Sequence, residues 1–313
     1  KSEVDLLWVG GIGTYVKGAE ETHADVGDKA NDGLRVNGKD LRCKVVGEGG
    51  NLGFTQLGRI EYALKGGRLN TDFIDNSGGV DCSDHEVNMK ILLNRAVAMG
   101  DLTAKQRNVM LEEMTDDVSA LVLKNNYRQT QAISIASADT APRLEEYRRL
   151  MNTLESEGKL NRGLEFLPDD DALAERKLAK KGLTRPELSV LISYVKGDLK
   201  QTLIASTLPD DPLLAGEMYK VFPKELNKKF SKELGEHQLR REIIATQIAN
   251  DMVNHMGITF VERLNQSTGA DAASIALAWI IARDVFRIDN WWDRIEALDY
   301  HVPAKLQMEL MQD

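Results

Sequence analysis

Cysteine is almost missing from this sequence. Cys43 and Cys82 are the only two in 313 residues, too few for a disulfide framework and without the Cys-x-x-Cys spacing of a metal or redox motif. Two reduced, buried thiols are expected, with no metal held through sulfur. Long apolar runs are missing too. The most apolar stretch, Ile275 to Ala282, is far shorter than the roughly 20 residues that span a bilayer, and no secretory leader opens the chain. A soluble, cytoplasmic protein without a membrane partner is expected. No block of Lys or Arg occurs, and the formal net charge is −9. Binding to a phosphate backbone is driven by clustered cations, so no nucleic-acid partner is expected either. An initiator Met is also lacking: the chain opens KSEVDLLWVG, almost directly on a strand, and reads as cut from something longer.

What is present is an apolar content of 42%, ample for one or two cores over a length whose prior is about two domains. Residues 1 to about 85 alternate β-rich runs with turns and helical stretches: VDLLWVG, LRCKVVGEGG, a helix near Gln56 to Lys65, and NTDFIDNSGGV. That order predicts αβ units on a mostly parallel sheet. LLWV and CKVV are apolar on both alternations, as central strands covered on both faces should be. The loops GGIGT, GEGGN and NSGGV should then line up along one edge of the sheet, where ligands of open α/β sheets gather.

From His85 onward the period is helical, with Met89, Leu92, Leu93 and Ala96 on one face. Thr103 is placed to cap a long helix through Leu123, Pro142 to open the next, and Thr184 with Glu187 to form a capping box. Leu226, Phe230 and Leu234 stripe a further helix, and Ile243 to Met256 make another. ASIALAWIIARDVF, apolar almost all round, should be the most buried helix. The fold class is therefore α/β, part of a Rossmann-like parallel sheet over residues 1–100, followed by a large all-helical region over residues 101–313.

Three constellations invite a chemical reading. In GGIGT, Gly11 and Gly13 supply two glycines of a dinucleotide fingerprint, but Val16 stands at the third position. The segment that follows has no apolar stripe and is broken by Gly18 and Gly27, so it cannot pack as the helix such a turn needs; Asp32 then lies in a polar loop. Lys65 beside Gly66 and Gly67 reads as a helix end. In NSGGVDCSDHE, Ser83 and Glu86 have capping-box spacing, and a helix start there offers backbone N–H groups and a hydroxyl to a carboxylate. Asp81, Asp84, His85 and Glu86 suggest a metal, but side chains so crowded on one helix start point in different directions, and no metal is expected. His255 reads as a satisfied core residue. His23, His237 and His301 sit in polar surroundings, Trp291 and Trp292 read as packing, and no Ser/His/Asp set can be assembled.

The run from Lys44 to Val97, KVVGEGGN through NSGGVDCSDHEVNMKILLNRAV, together with DLLWVGGIGTYVK and DVGDKAND, resembles the large type of bacterial NAD-specific glutamate dehydrogenase. EGGN followed by NSGGVDCS is similar, more distantly, to the EGAN and NAGGV segments of the smaller hexameric enzymes. The resemblance is dense over residues 4–100 and looser beyond. It implies oxidative deamination of L-glutamate to 2-oxoglutarate and ammonium with NAD as cofactor. Residues 1–100 would be the C-terminal part of the NAD-binding domain and residues 101–313 a helical C-terminal domain. The family's catalytic lysine and aspartate and its dinucleotide fingerprint would lie upstream, so this chain would carry no catalytic residue and be inactive alone. By resemblance Gly10, Gly11, Asn51 and Asn76 would face the cofactor's nicotinamide end, and Val80 and Ser83 would line the glutamate pocket, Ser83 at the α-carboxylate. The complete enzyme would be a homo-oligomer. The other reading is a helical assembly module without catalysis. Two departures stand out: Gly50 replaces an alanine, and Asp81 replaces an uncharged residue.

Overall fold

The computed structural model describes residues 3–312. Strand β1 (Leu6–Val9) is followed by β2 (Val16–Lys17), the short helix α1 (His23–Val26), β3 (Val36–Asn37) and β4 (Val45–Glu48). β1 and β4 pair in parallel, from Leu6 opposite Val45 to Val9 opposite Glu48. β2 and β3 form a second parallel pair. Helix α2 (Gln56–Leu64) starts at Thr55, whose hydroxyl accepts the Gly58 N–H, and stops at Lys65. Gly66 follows with φ +93°, the left-handed turn that favours glycine at a helix end. Val9, Val16, Cys43, Val46, Phe54, Tyr62 and Leu69 make one small core.

The strands are parallel as expected, but they form two separate two-stranded pairs rather than one wide sheet, and the β1–β4 pair is covered on one side only. Phe54, Tyr62 and Leu69 pack with Val9 and Val46, whereas Leu6, Trp8 and Val45 on the other alternation are 56%, 61% and 39% exposed. That face opens onto a cleft whose other walls include Ser134 of α6, Lys181 and Met308. NTDFIDNSGGV is not a strand either. Arg68 makes a single bridge to Val45, and then Asp72–Asp75 forms helix α3, which runs almost directly into α4 (Ser77–Met99). Carboxylates at Asp72 and Asp75 in the first turn complement the positive helix end, and this outweighs the strand-like alternation.

Helix α4 buries Met89, Leu92, Leu93 and Ala96, the predicted face, along with His85, and packs on α6. Thr103 and Gln106 form a capping box at the start of α5 (Ala104–Glu113). The long helix expected there is interrupted: the buried Met114, φ −91° and ψ 5°, separates α5 from α6 (Thr115–Asp139). Helices α7 (Leu144–Ser156), α8 (Asp170–Leu178) and α9 (Arg185–Ala205) follow, the last opened by the predicted Thr184–Glu187 box. The predicted Leu226–Phe230–Leu234 stripe is split after α10 (Ala215–Tyr219). Leu226 lies on α11 (Lys224–Lys229) and Leu234 on α12 (Ser231–Gly235), with Phe230 in the bend between them. Then come α13 (Arg240–Met256), α14 (Phe260–Thr268), α15 (Ala272–Phe286), α16 (Ile288–Glu296) and α17 (Ala304–Gln312).

The most buried helix is α9, not α15. α9 is enclosed by α13, α6, α2 and α15. α15 buries Ile275, Ala276, Trp279 and Ile280, but Ile281, Val285 and Phe286 are exposed. Hydrophobicity all round a helix is buried only where neighbours exist on every side, and the neighbours of α15 lie on one. The larger core begins at Ile74 and extends through the helices to Ile280. No described helix is long and apolar enough to cross a membrane. Cys43 is buried, but Cys82, on the outer face of α4, is exposed; both are free thiols.

Candidate functional site

Because β1 and β4 run in parallel, their carboxyl ends emerge side by side and their glycine loops meet. The Gly50 N–H donates to the Val9 carbonyl at 2.8 Å. A Cβ at Gly50 would stand 2.8 Å from the Gly11 carbonyl oxygen, so the alanine of the related motif would have to push these loops apart. The indole of Trp8 lies against Gly49, where a Cβ would come within 2.4 Å of the ring. At Gly11 a Cβ would meet nothing within 4 Å, leaving that backbone open. The Asn76 amide donates to Asn51 Oδ1. Gly10, Gly11, Asn51 and Asn76 are thereby brought to one accessible rim.

A carboxylate–guanidinium network beneath the rim holds it in place. Glu48, whose side chain is fully buried, accepts from Arg59 Nε at 2.7 Å and Nη2 at 2.9 Å. Arg59 Nη2 also lies 3.1 Å from Asp72 Oδ1. Asp72 Oδ2 accepts the Leu52 N–H at 2.8 Å, and Asp75 Oδ2 accepts the Glu48 N–H at 3.0 Å. Burial pushes both Glu48 and Asp75 above the ordinary carboxylate range, against the opposing pull of Arg59 on Glu48 and of the Asn70 amide on Asp75. These residues were not singled out from the sequence. Their signal was there: a glutamate inside a glycine loop, and aspartates three apart in TDFID.

Val80 and Ser83 lie on α4 and are exposed. Ser83 does not start a helix. α4 begins six residues earlier, and Ser83 Oγ donates to the Gly79 carbonyl at 3.2 Å within it; Glu86 pairs with Lys90. A helix can begin at the glycine pair because α3 already supplies the preceding turn, with the Asn76 N–H donating to Asp72. The N-terminal end of α4 therefore lies at Asn76, not at Ser83. Asp81 faces away from Ser83's role: its Oδ2 accepts from Asn125 of α6 at 2.8 Å. Asp81, Asp84 and His85 line a cavity of about 210 Å³ with Asn125 and Glu242, while Glu86 stands outside it.

After GGIGT the chain enters the short buried strand β2 and then α1 and a 3-10 turn, neither of which buries a residue, so no helix packs on the sheet directly behind these glycines. Asp32 pairs with Arg35 at 2.5 Å. Two histidines differ from expectation. His237 is buried, with Nε2 3.0 Å from the Asn88 carbonyl oxygen. His255 is in the core, but neither ring nitrogen has a hydrogen-bond partner among the described residues. Trp292 is buried and donates to Gln131, whereas Trp291 is 57% exposed under the guanidinium of Arg294.

Parallel strands bring glycine loops and paired amides to one rim, joined through α4 to a helical body, so the chain is a small parallel α/β unit followed by a large helical region. Residues 1–136 match the family described as bacterial NAD-glutamate dehydrogenase, catalytic domain, and residues 180–313 match glutamate dehydrogenase, C-terminal. The chain is 63% identical over 313 residues to the NAD-specific glutamate dehydrogenase of Pseudomonas aeruginosa, 58% over 312 residues to that of Halomonas elongata and 44% over 313 residues to that of Mycobacterium tuberculosis. All of this chain is covered in each comparison, but it spans only 19% of each relative's length. The chain belongs to the bacterial NAD-specific glutamate dehydrogenase family.

Proposed function

We propose that this chain supplies the nicotinamide side of the active site in an enzyme that oxidises L-glutamate to 2-oxoglutarate and ammonium with NAD. On this reading residues 1–100 are the C-terminal part of a Rossmann-like NAD-binding domain, and residues 101–313 are a helical C-terminal domain. The lysine and aspartate that would carry acid/base work are contributed by other parts of the complete enzyme. That enzyme is taken to be a cytoplasmic homo-oligomer, to be checked by sedimentation and cell fractionation.

The observation that carries the reading is the Asn51–Asn76 contact at the mouth of two glycine loops. Side-chain amides offer both donor and acceptor, which suits the neutral ribose hydroxyls and carboxamide of the cofactor, and the open backbone at Gly11 leaves room beside them. NAD would supply the hydride acceptor. The chain's own task is to orient that acceptor and to hold the glutamate carboxylate near the start of α4, where Val80 is proposed as an apolar wall.

Asn51→Ala and Asn76→Ala in the complete enzyme are expected to raise KM for NAD, each by up to about tenfold, since a neutral hydrogen bond contributes roughly 0.5–1.5 kcal/mol. Their mutual hydrogen bond makes the double mutant less than additive. Unchanged NAD kinetics in both single mutants would remove the assignment.

Ser83→Ala separates structure from substrate contact. Its internal bond to Gly79 contributes little, so melting should shift by less than about 0.5 kcal/mol equivalent. If Ser83 also reaches the substrate carboxylate, kcat/KM for glutamate falls roughly ten- to a hundredfold, the loss of a hydrogen bond to a charged group. Intact glutamate kinetics would exclude Ser83 from the pocket.

A further inference from the structure

Charges carried by four helical segments of the C-terminal body converge beneath Trp279 and Trp292. Arg283 of α15, its side chain 3% exposed, donates to Glu217 Oε1 at 2.6 Å and Asp251 Oδ2 at 3.1 Å, and its Nε lies 2.9 Å from Asp284 Oδ1. Lys220 Nζ lies 3.1 Å from Glu217 Oε2, 3.5 Å from Asp251 Oδ2 and 3.7 Å from Asp289 Oδ2. Four carboxylates, two of them buried, thus share two cations. Arg128, the next cation outward, is committed to Asp293 and Glu296. The two buried carboxylates are matched by these two cations, while Asp284 and Asp289 are 63% and 41% exposed at their side chains.

The two cations sit on the Oδ2 atoms of Asp251 and Asp289. On the other side the polar atoms are orphaned. Asp289 Oδ1 and both ring nitrogens of His255 are buried without a hydrogen-bond partner among the described residues. His255 Nδ1 is 3.7 Å from Asp251 Oδ1, and the His255 side chain is 1% exposed. Its ring is held edge-on to Trp292 with centroids 4.5 Å apart. Asp251, His255 and Asp289 can each offer a ligand atom, all within 4.8 Å of one another.

We propose that Asp251, His255 and Asp289 bind a divalent first-row transition ion such as Zn²⁺ or Mn²⁺. One imidazole and two carboxylates suit such ions, and the i, i+4 spacing of Asp251 and His255 sets both on one face of α13. An ion there would take up Asp289 Oδ1 and a ring nitrogen of His255, the polar atoms that are buried without a partner among the described residues. The ion would tie α13 to the first turn of α16.

The test compares metal content in wild type, Asp289→Asn, His255→Gln and, as a control, the exposed His301→Gln. Each is stripped with EDTA, re-equilibrated with Zn²⁺, dialysed, and assayed by elemental mass spectrometry alongside a melting curve with and without Zn²⁺. Wild type and His301→Gln are expected to retain one equivalent more per chain than the two site variants, and only they should melt higher with Zn²⁺. If His255→Gln fails to fold, Asp289→Asn decides alone, because Asp289 is 41% exposed at its side chain and tolerates an isosteric amide. Equal zinc content in wild type and Asp289→Asn, or none retained by wild type, would overturn the proposal.

Discussion

Arg59→Leu is expected to lower stability by about 3–5 kcal/mol, because it leaves a buried carboxylate without its counter-charge. Both oxygens of Glu48 are bonded to Arg59, and the Glu48 side chain is completely enclosed. Arg59 also steadies Asp72, which holds the Leu52 N–H, so its loss should loosen the loop that presents Asn51. The double variant Glu48→Leu/Arg59→Leu should recover much of the loss, since replacing an entire buried ion pair with apolar groups is often close to neutral. Urea denaturation with linear extrapolation reads both quantities. A single-mutant loss below about 1 kcal/mol would mean that water or another cation reaches Glu48, contrary to the enclosed geometry.

Arg283→Leu should be as damaging in a different place. It strands Glu217 and Asp251 in the helical body with only Lys220 to share, a loss of about 3–5 kcal/mol. Arg283→Lys keeps the charge but cannot span both carboxylates as a planar fork does, and should fall between wild type and the leucine variant. The two arginines belong to separate networks with no shared partner, so the losses from Arg59→Leu and Arg283→Leu should add within about 0.5 kcal/mol. Either loss is a large part of the stability of an ordinary domain, so the double variant is best assayed at low temperature. Strong non-additivity in the same urea titrations would show that the sheet end and the helical body unfold through a shared, coupled structure.

The candidate rim was legible mainly as loops. Glycines after apolar runs pointed to strand ends, and a resemblance attached Asn51 and Asn76 to a cofactor. Their approach to one another depends on the parallel pairing of β1 with β4 and on the placement of α3, which no local pattern encodes. The Ser83 cap was misread for a related reason. Ser-x-x-Glu spacing is a local rule, and it was overridden when the chain entered α4 already coiled by α3, so that a glycine pair unfavourable inside a helix became its first turn.

The amino-acid sequence by itself determined the local structure: the apolar face of α4, the Thr103 and Thr184 caps, and the glycine stop of α2. These depend on contacts within a few residues, and such interactions are written in spacing. Only the tertiary structure decided which apolar surfaces are covered, making α9 rather than α15 the central helix and leaving Trp8 and Val285 in the open. It also decided which charges meet. Glu48 finds Arg59 eleven residues away, and Arg283 finds Glu217 sixty-six residues away, through chain reversals whose geometry is set by packing. Ion pairs of that kind act over a few ångströms in space, and distance along the chain carries no information about them.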